Sequence, residues 1–174
     1  IGMKRLPILL TQYHAKTITK IKGPLKKAHY HGLTKTGIKA LPGYISEPVM
    51  IIQSPGYSDR VVLLTDMLNR DGENVIAPVK IDGRGNWQNV EIDANILTTA
   101  YGKADLKRMV ISSIQEDRVL YVDKKRSDTL SQTLGVQFPN NLRSGGFIRS
   151  ICHNLKNVNC SSHFSTISHM QKNP

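Results

Sequence analysis

The 174-residue chain has little of what marks several common protein classes. Its two cysteines, Cys152 and Cys160, are too few for a disulfide framework. The sequence allows either one disulfide bridge between them or two free thiols. His153 and His163 lie near them, but the CxxC spacing typical of zinc sites is absent, so no metal or other cofactor is predicted. No apolar run is long enough to span a membrane, and the apolar part of Met3–Leu10 is too short for a signal peptide. We therefore expect neither a disulfide-rich domain nor a membrane protein.

Acidic residues are missing from both ends of the chain. Residues 1–46 carry nine Lys or Arg and no Asp or Glu, and residues 129–174 carry four basic residues and again no acidic one. The stretch 47–128 is nearly balanced, with eleven basic and thirteen acidic residues, and the whole chain has a formal net charge of +11. A balanced body with basic ends favours a polyanionic partner, above all a nucleic acid. Basic ends that are merely solvated are the alternative.

The hydrophobic spacing changes along the chain and predicts helices first and strands afterwards. The predicted elements are helices over 11–22 (capped by Thr11), 25–30 and 34–43 (capped by Thr34), strands over 49–52, 60–65, 75–81 and 87–97 with turns at 70–74 and 83–86, a helix over 103–114, a strand over 119–122, and helices over 124–134 and 146–158. This order predicts an α+β fold with N-terminal helices packed on one face of a curled, mainly antiparallel sheet. We expect one domain over 1–142 and a basic extension, a helix and then a flexible tail, over 143–174.

The stretch Thr98–Lys103 places hydroxyls, a phenol and an ammonium where a strand passes into a helix. Thr99, Tyr101 and Lys103 alternate with their neighbours, so on an extended backbone they share one face with Leu97. Such donors could stabilise the charge that develops on a phosphate during RNA cleavage. An ordinary polar strand end is the alternative.

RNA can be cleaved without a metal because its own 2′-hydroxyl is the nucleophile, and a histidine can act as the general base or acid. His31 is the best candidate because it stands beside Gly32 at a predicted helix end, where a side chain can project into a groove. An exposed or capping histidine is the alternative. Arg60 is expected at the rim of the groove, and Thr65 faces into it if the strand register permits.

Several short blocks then resemble a known family. The chain from about Pro7 to Leu142 resembles the MuF carboxy-terminal domain of phage polyvalent proteins and bacterial polymorphic toxins, which is placed in the barnase–EndoU–colicin–RelE-like nuclease superfamily. The blocks that carry the resemblance are His31–Thr34, Leu41–Pro42 with Glu47–Ile52, Ser58–Thr65, Ala100–Lys103, Leu120–Lys125 and Leu134–Pro139. They follow one another in the family's order over most of the chain, which makes the resemblance fairly specific.

The resemblance implies a barnase/EndoU/RelE-like fold and a metal-independent ribonuclease toxin, in which His31 is the general base or acid and Thr99, Tyr101 and Lys103 act on the phosphate. The family's serine before Tyr-Gly-Lys is Thr99 here, which keeps the hydroxyl. Its lysine before His-Gly is Tyr30 here, so the positive charge moves to Lys26 and Lys27, which become expected substrate-binding residues beside Arg60 and Thr65.

The resemblance also implies a biological setting. The domain would be a secreted or delivered effector that cleaves RNA, including tRNA as one option, in the cytoplasm of a target cell. An acidic immunity protein would hold it in check, and the domain would be a monomer or a 1:1 complex with that inhibitor. A non-catalytic nucleic-acid-binding module and a catalytically inactive virion component are the competing hypotheses.

Overall fold

A computed structural model describes residues 6–19, 31–87 and 90–138, with the Trp87 side chain excepted. The helices and strands in these ranges are β1 (Ile8–Leu9), α1 (Gln12–Ile18), α2 (Lys35–Ser46), β2 (Met50–Gln53), β3 (Arg60–Leu68), β4 (Asn74–Trp87), β5 (Val90–Leu97), β6 (Tyr101–Gly102), α3 (Leu106–Gln115), β7 (Val119–Val122) and α4 (Lys124–Leu134). The predicted helices over 25–30 and 146–158, and the extension 143–174, lie outside the described residues.

The strands form one open, mixed sheet with the order β1-β5-β4-β3-β2-β7, and β6 pairs with β4 beside this path. The β1–β5 pair is parallel, and the other pairs are antiparallel. β1 and β7 form the two edges, so within the described residues the sheet stays open and does not curl into a barrel. The predicted α+β class with a mainly antiparallel sheet is confirmed.

Helices cover both faces of this sheet, whereas the sequence predicted helices on one face. On the face that we call the α1/α2 face, the buried cluster includes Ile18, Ile38, Leu41, Ile45, Ile51, Leu63 and Val75. On the opposite α3/α4 face, it includes Met50, Val62, Leu64, Ile76, Leu106, Val110 and Leu130. The central strands are apolar on both sides, as the unbroken run Val49–Ile52 indicates, and such strands need a cover on each face.

The helix starts agree with the predicted caps. The hydroxyl of Thr11 accepts a hydrogen bond from the His14 backbone N–H at 3.2 Å, and that of Thr34 accepts one from Gly37 at 2.8 Å. These caps satisfy N–H groups that have no partner inside a helix. α2 was predicted to end near Pro42, but it runs on to Ser46. The buried Ile45 continues its apolar stripe, and this packing outweighs the cost of proline.

The turn predicted at 83–86 is wrong, because β4 continues through these residues to Trp87 and pairs with β5 along them. The glycines there serve close packing. A Cβ added to Gly85 would lie 2.7 Å from Leu9 Cδ1, so glycine leaves room here for the Leu9 side chain of β1. A register shift between Lys80 and Gly83 and a positive φ of 51° at Asp82 mark a bulge in the strand. None of the described helices is long and apolar enough to cross a membrane.

Candidate active site

His31 lies beside the short strand β6. Its carbonyl accepts a hydrogen bond from the Gly102 N–H at 3.4 Å, and the carbonyl of Gly32 accepts one from Arg70 at 3.2 Å. The other side of β6 pairs with β4 at Val75 and Ile76. β6 is therefore held on one side by the sheet and on the other by the segment that carries His31. This arrangement brings together two parts of the chain that are far apart in sequence.

The His31 ring contacts two of the three predicted phosphate-contacting residues. Its Nδ1 lies 3.2 Å from the Thr99 hydroxyl, in a hydrogen bond between residues 68 apart in sequence. Its ring centroid lies 5.9 Å from that of Tyr101 in an edge-on arrangement with a 67° interplanar angle. The hydroxyl can donate to an unprotonated Nδ1 or accept from a protonated one, so it can orient the ring in either charge state.

Tyr101 adds a hydrogen-bond donor to this cluster. Its ring packs against the apolar residues of the α3/α4 face. Burial raises the pKa of the Tyr101 phenol above its ordinary value, because the charged form is desolvated. The phenol therefore keeps its proton at neutral pH. It can donate to an anionic ligand and does not repel one.

Leu97 was predicted to share one face of the strand with Tyr101, and this prediction is wrong. In the strand pairing, Val79 of β4 lies opposite Leu97 of β5, and Ile76 of β4 lies opposite Tyr101 of β6. The register against β4 therefore differs by one residue between β5 and β6. Because a shift of one residue moves side chains to the other face, Leu97 packs on the α1/α2 face and Tyr101 on the α3/α4 face. Leu97 therefore does not share the face of Tyr101, contrary to the expectation.

Lys103 directly follows β6 and is half-buried. Its backbone N–H donates to the carbonyl of Asn74 at 3.0 Å, which extends the pairing of β6 with β4. In extended backbone, positions 101 and 103 share one face. The Lys103 side chain therefore leaves the backbone on the same side as the Tyr101 ring.

The side chains of Asn69 and Glu73 pack against β6. The Asn69 Nδ2 donates to a Glu73 carboxylate oxygen at 3.0 Å, and it would lie 2.0 Å from a Cβ on Gly102 and 2.5 Å from one on Gly32. Position 102 faces away from position 101, so this amide lies on the side of β6 opposite the Tyr101 ring. Only glycine at 32 and 102 permits such close contact. The turn at 70–74 was predicted from Asp71-Gly72, but its contact with the site was not, because nothing local in the sequence signals it.

Two other predicted site residues are not part of the cluster. Thr65 is fully buried, and its hydroxyl donates to the Val75 carbonyl at 2.8 Å and accepts from Met67 at 3.3 Å. The hydroxyl therefore forms hydrogen bonds within the sheet and does not face a groove. Arg60 shares the α3/α4 face but pairs with Lys80, four residues along β4 from Ile76, or roughly 13 Å away at the usual strand rise.

The remaining candidates are placed as follows. Lys26 and Lys27 lie outside the described residues, as do His153 and His163. His14 lies 2.9 Å through Nδ1 from the Thr11 hydroxyl, at the start of α1, and partial burial lowers its pKa because the charged form is desolvated. Within the part of the chain that the structure describes, no three His, Cys, Asp or Glu side chains are grouped so that they could hold a metal ion.

Comparison with protein families decides the relationship. The family model described as the phage MuF C-terminal domain matches residues 24–129, which is more than half of the chain. The chain belongs to the phage MuF C-terminal domain family. No curated protein and no solved structure matches it. The matched range of this MuF C-terminal domain contains His31, Thr99, Tyr101 and Lys103, so the whole described cluster lies inside the family region.

Proposed function

We propose that this MuF C-terminal domain is a metal-independent endoribonuclease toxin of phage-associated type, delivered to act on RNA in the cytoplasm of a target cell. The observation that carries the proposal is the contact of the His31 ring with both Thr99 and Tyr101. It joins an imidazole, the side-chain type best suited to proton transfer near neutral pH, to two hydroxyl groups. Lys103 adds a positive charge on the same side of the strand, and the +11 net charge of the chain suits an RNA substrate.

The cluster has the groups that transesterification of RNA requires. In the proposed reaction, the 2′-oxygen attacks the adjacent phosphorus while its proton passes to a base, and the bond from phosphorus to the 5′-oxygen breaks as that oxygen takes up a proton. His31 serves as the base or the acid in these transfers. Tyr101, Thr99 and Lys103 stabilise the extra negative charge of the phosphorane. The products are a 2′,3′-cyclic phosphate and a 5′-hydroxyl.

We expect cleavage of total RNA to persist in excess EDTA and to leave 2′,3′-cyclic phosphate ends, because the nucleophile belongs to the substrate. The ends are identified by their resistance to 3′-end ligation until the cyclic phosphate is opened and removed. A preparation of His31→Ala handled in parallel controls for contaminating nucleases. Activity that is lost in EDTA and restored by magnesium would contradict the mechanism.

A non-catalytic nucleic-acid-binding module, or an inactive virion component, is the second candidate. The observation that favours it is membership of a phage protein family. Such a module would bind RNA with a strong dependence on salt and leave it intact. The EDTA experiment therefore separates the two functions, since only the first yields new RNA ends.

A ribonuclease that would damage its producer needs an inhibitor, and we propose an acidic immunity protein that covers the surface between His31 and Lys103. Opposite charge should bring the association rate constant to about 10⁸ M⁻¹s⁻¹ or more at low salt. Stopped-flow measurements at increasing ionic strength should show a steep fall in this constant. A rate constant that stays the same would place the inhibitor on a remote, neutral surface.

A further inference from the structure

A second group of side chains lies on the face of Tyr101, at the opposite end of the central strands. Arg60, Val62 and Leu64 alternate along β3, and the latter two are buried on the α3/α4 face, so Arg60 points to that face as well. Tyr101 packs on the same face. Between the two ends, Val62 and Leu64 are buried under α3 and α4, so a ligand that reaches both the His31 cluster and Arg60 has to pass along the outside of the domain.

Tyr57 is the exposed member of this second group. It lies in the turn between β2 and β3, and 52% of its surface is exposed. The Arg60 guanidinium carbon lies 4.1 Å from the centroid of its ring. An exposed tyrosine with a cation on one face is a surface on which a nucleobase can stack.

The turn around Tyr57 is fixed by the side chain of Gln53. Its Nε2 donates to the carbonyls of Tyr57 at 2.9 Å and Arg60 at 3.0 Å. The Ser54 N–H donates to the Arg60 carbonyl at 3.0 Å and closes the same loop. The backbone of the turn is thus ordered before any ligand arrives, which lowers the entropy cost of binding there.

The charges nearby favour a base over a phosphate as the group bound here. Asp59 lies 3.9 Å from Arg60 Nε and 3.6 Å from Lys80 Nζ, so one carboxylate partly neutralises both cations. Arg60 Nε is buried and has no hydrogen-bond acceptor among the described residues. The guanidinium is therefore positioned by its stacking on the Tyr57 ring together with the long ion pair to Asp59.

We propose that Tyr57, backed by Arg60, is a subsite that stacks one unpaired base of single-stranded RNA, a few nucleotides from the bond that is cleaved. The inference rests on the proposed function for its substrate. Ile76 lies opposite Tyr101 and Lys80 lies opposite Arg60, a separation of about 13 Å along β4. Because the covered strands lie between these ends, about 13 Å is the shortest possible path, and a substrate that reaches both must be longer than a dinucleotide. A base in a duplex could not stack on the ring, so the subsite favours single strands.

The test measures the affinity for a fluorescent ten-nucleotide single strand in the His31→Ala background, in which cleavage should be about 10²- to 10⁴-fold slower. Tyr57→Ala should weaken binding by about 5- to 150-fold, the range that corresponds to the loss of one stacked base. Tyr57→Phe keeps the ring and should bind like the parent within about 2-fold. Tyr57→Leu, a second variant without a ring, should resemble Tyr57→Ala, and Tyr44→Ala, on the helix of the other face, is the matched control.

A duplex of the same sequence separates stacking from general attraction, because its affinity should be the same for the parent and Tyr57→Ala. Unchanged affinity of Tyr57→Ala and Tyr57→Leu for the single strand would overturn the subsite alone. An equal loss of affinity for the duplex would also overturn it. If the parent bound no RNA and the wild-type protein cleaved none, both the subsite and the proposed function would fail.

Discussion

Replacing His31 by alanine should lower the rate of RNA cleavage by about 10²- to 10⁴-fold, the usual effect of losing a general acid or base. The change removes the ring that contacts Thr99 and Tyr101. The backbone carbonyl of residue 31 would still accept from Gly102, so the pairing beside β6 should survive. Initial rates on a defined oligonucleotide, together with thermal melting of both proteins, measure the two effects separately.

His14→Ala is the matched control for this substitution. His14 also bonds a threonine hydroxyl through Nδ1, but that threonine is the N-cap of α1 and not a residue of the candidate site. We expect its cleavage rate to stay within a few-fold of wild type. If His31→Ala cleaved at the wild-type rate, the reaction would have to be assigned to other residues, and His14 would be the next candidate to test.

Replacing Lys103 by alanine should lower kcat by about 10²- to 10³-fold, because a positive charge aimed at the phosphorane acts mainly in the transition state. Lys103→Arg keeps the charge in a different shape and should recover part of the rate. Lys107→Ala, in the first turn of α3, removes the same charge from a more exposed position and serves as the control. A rise in KM alone, equal for Lys103→Ala and Lys107→Ala, would indicate general attraction of RNA and no specific role for Lys103.

Elements whose signals are local could be predicted from the sequence. The caps at Thr11 and Thr34, the turn around Asp71-Gly72 and the span of α4 each depend on residues within a few positions of one another. Their hydrogen bonds form inside the segment, so the sequence of the segment is sufficient.

Features that depend on how distant strands pair could not be predicted. Gly85 was interpreted as a turn residue because its actual partner, Leu9, is far away in sequence. Thr65 was expected to face a groove, but the pairing of β3 with β4 buries its hydroxyl against Val75. The shift that separates Leu97 from Tyr101 is likewise a property of two strand pairs together. Alternation along one strand cannot reveal it.

The distance in sequence between His31 and Thr99 has a consequence for the cell that makes the protein. A ribosome adds residues in order, so a growing chain contains His31 long before the hydroxyl that orients its ring, 68 residues later. β6 and its partner β4 must also be complete before the two can meet. Contacts of such long range form slowly compared with local ones. Under the proposed function, the incomplete chain is harmless to the translation machinery that produces it, and an inhibitor already present has time to bind as the site forms.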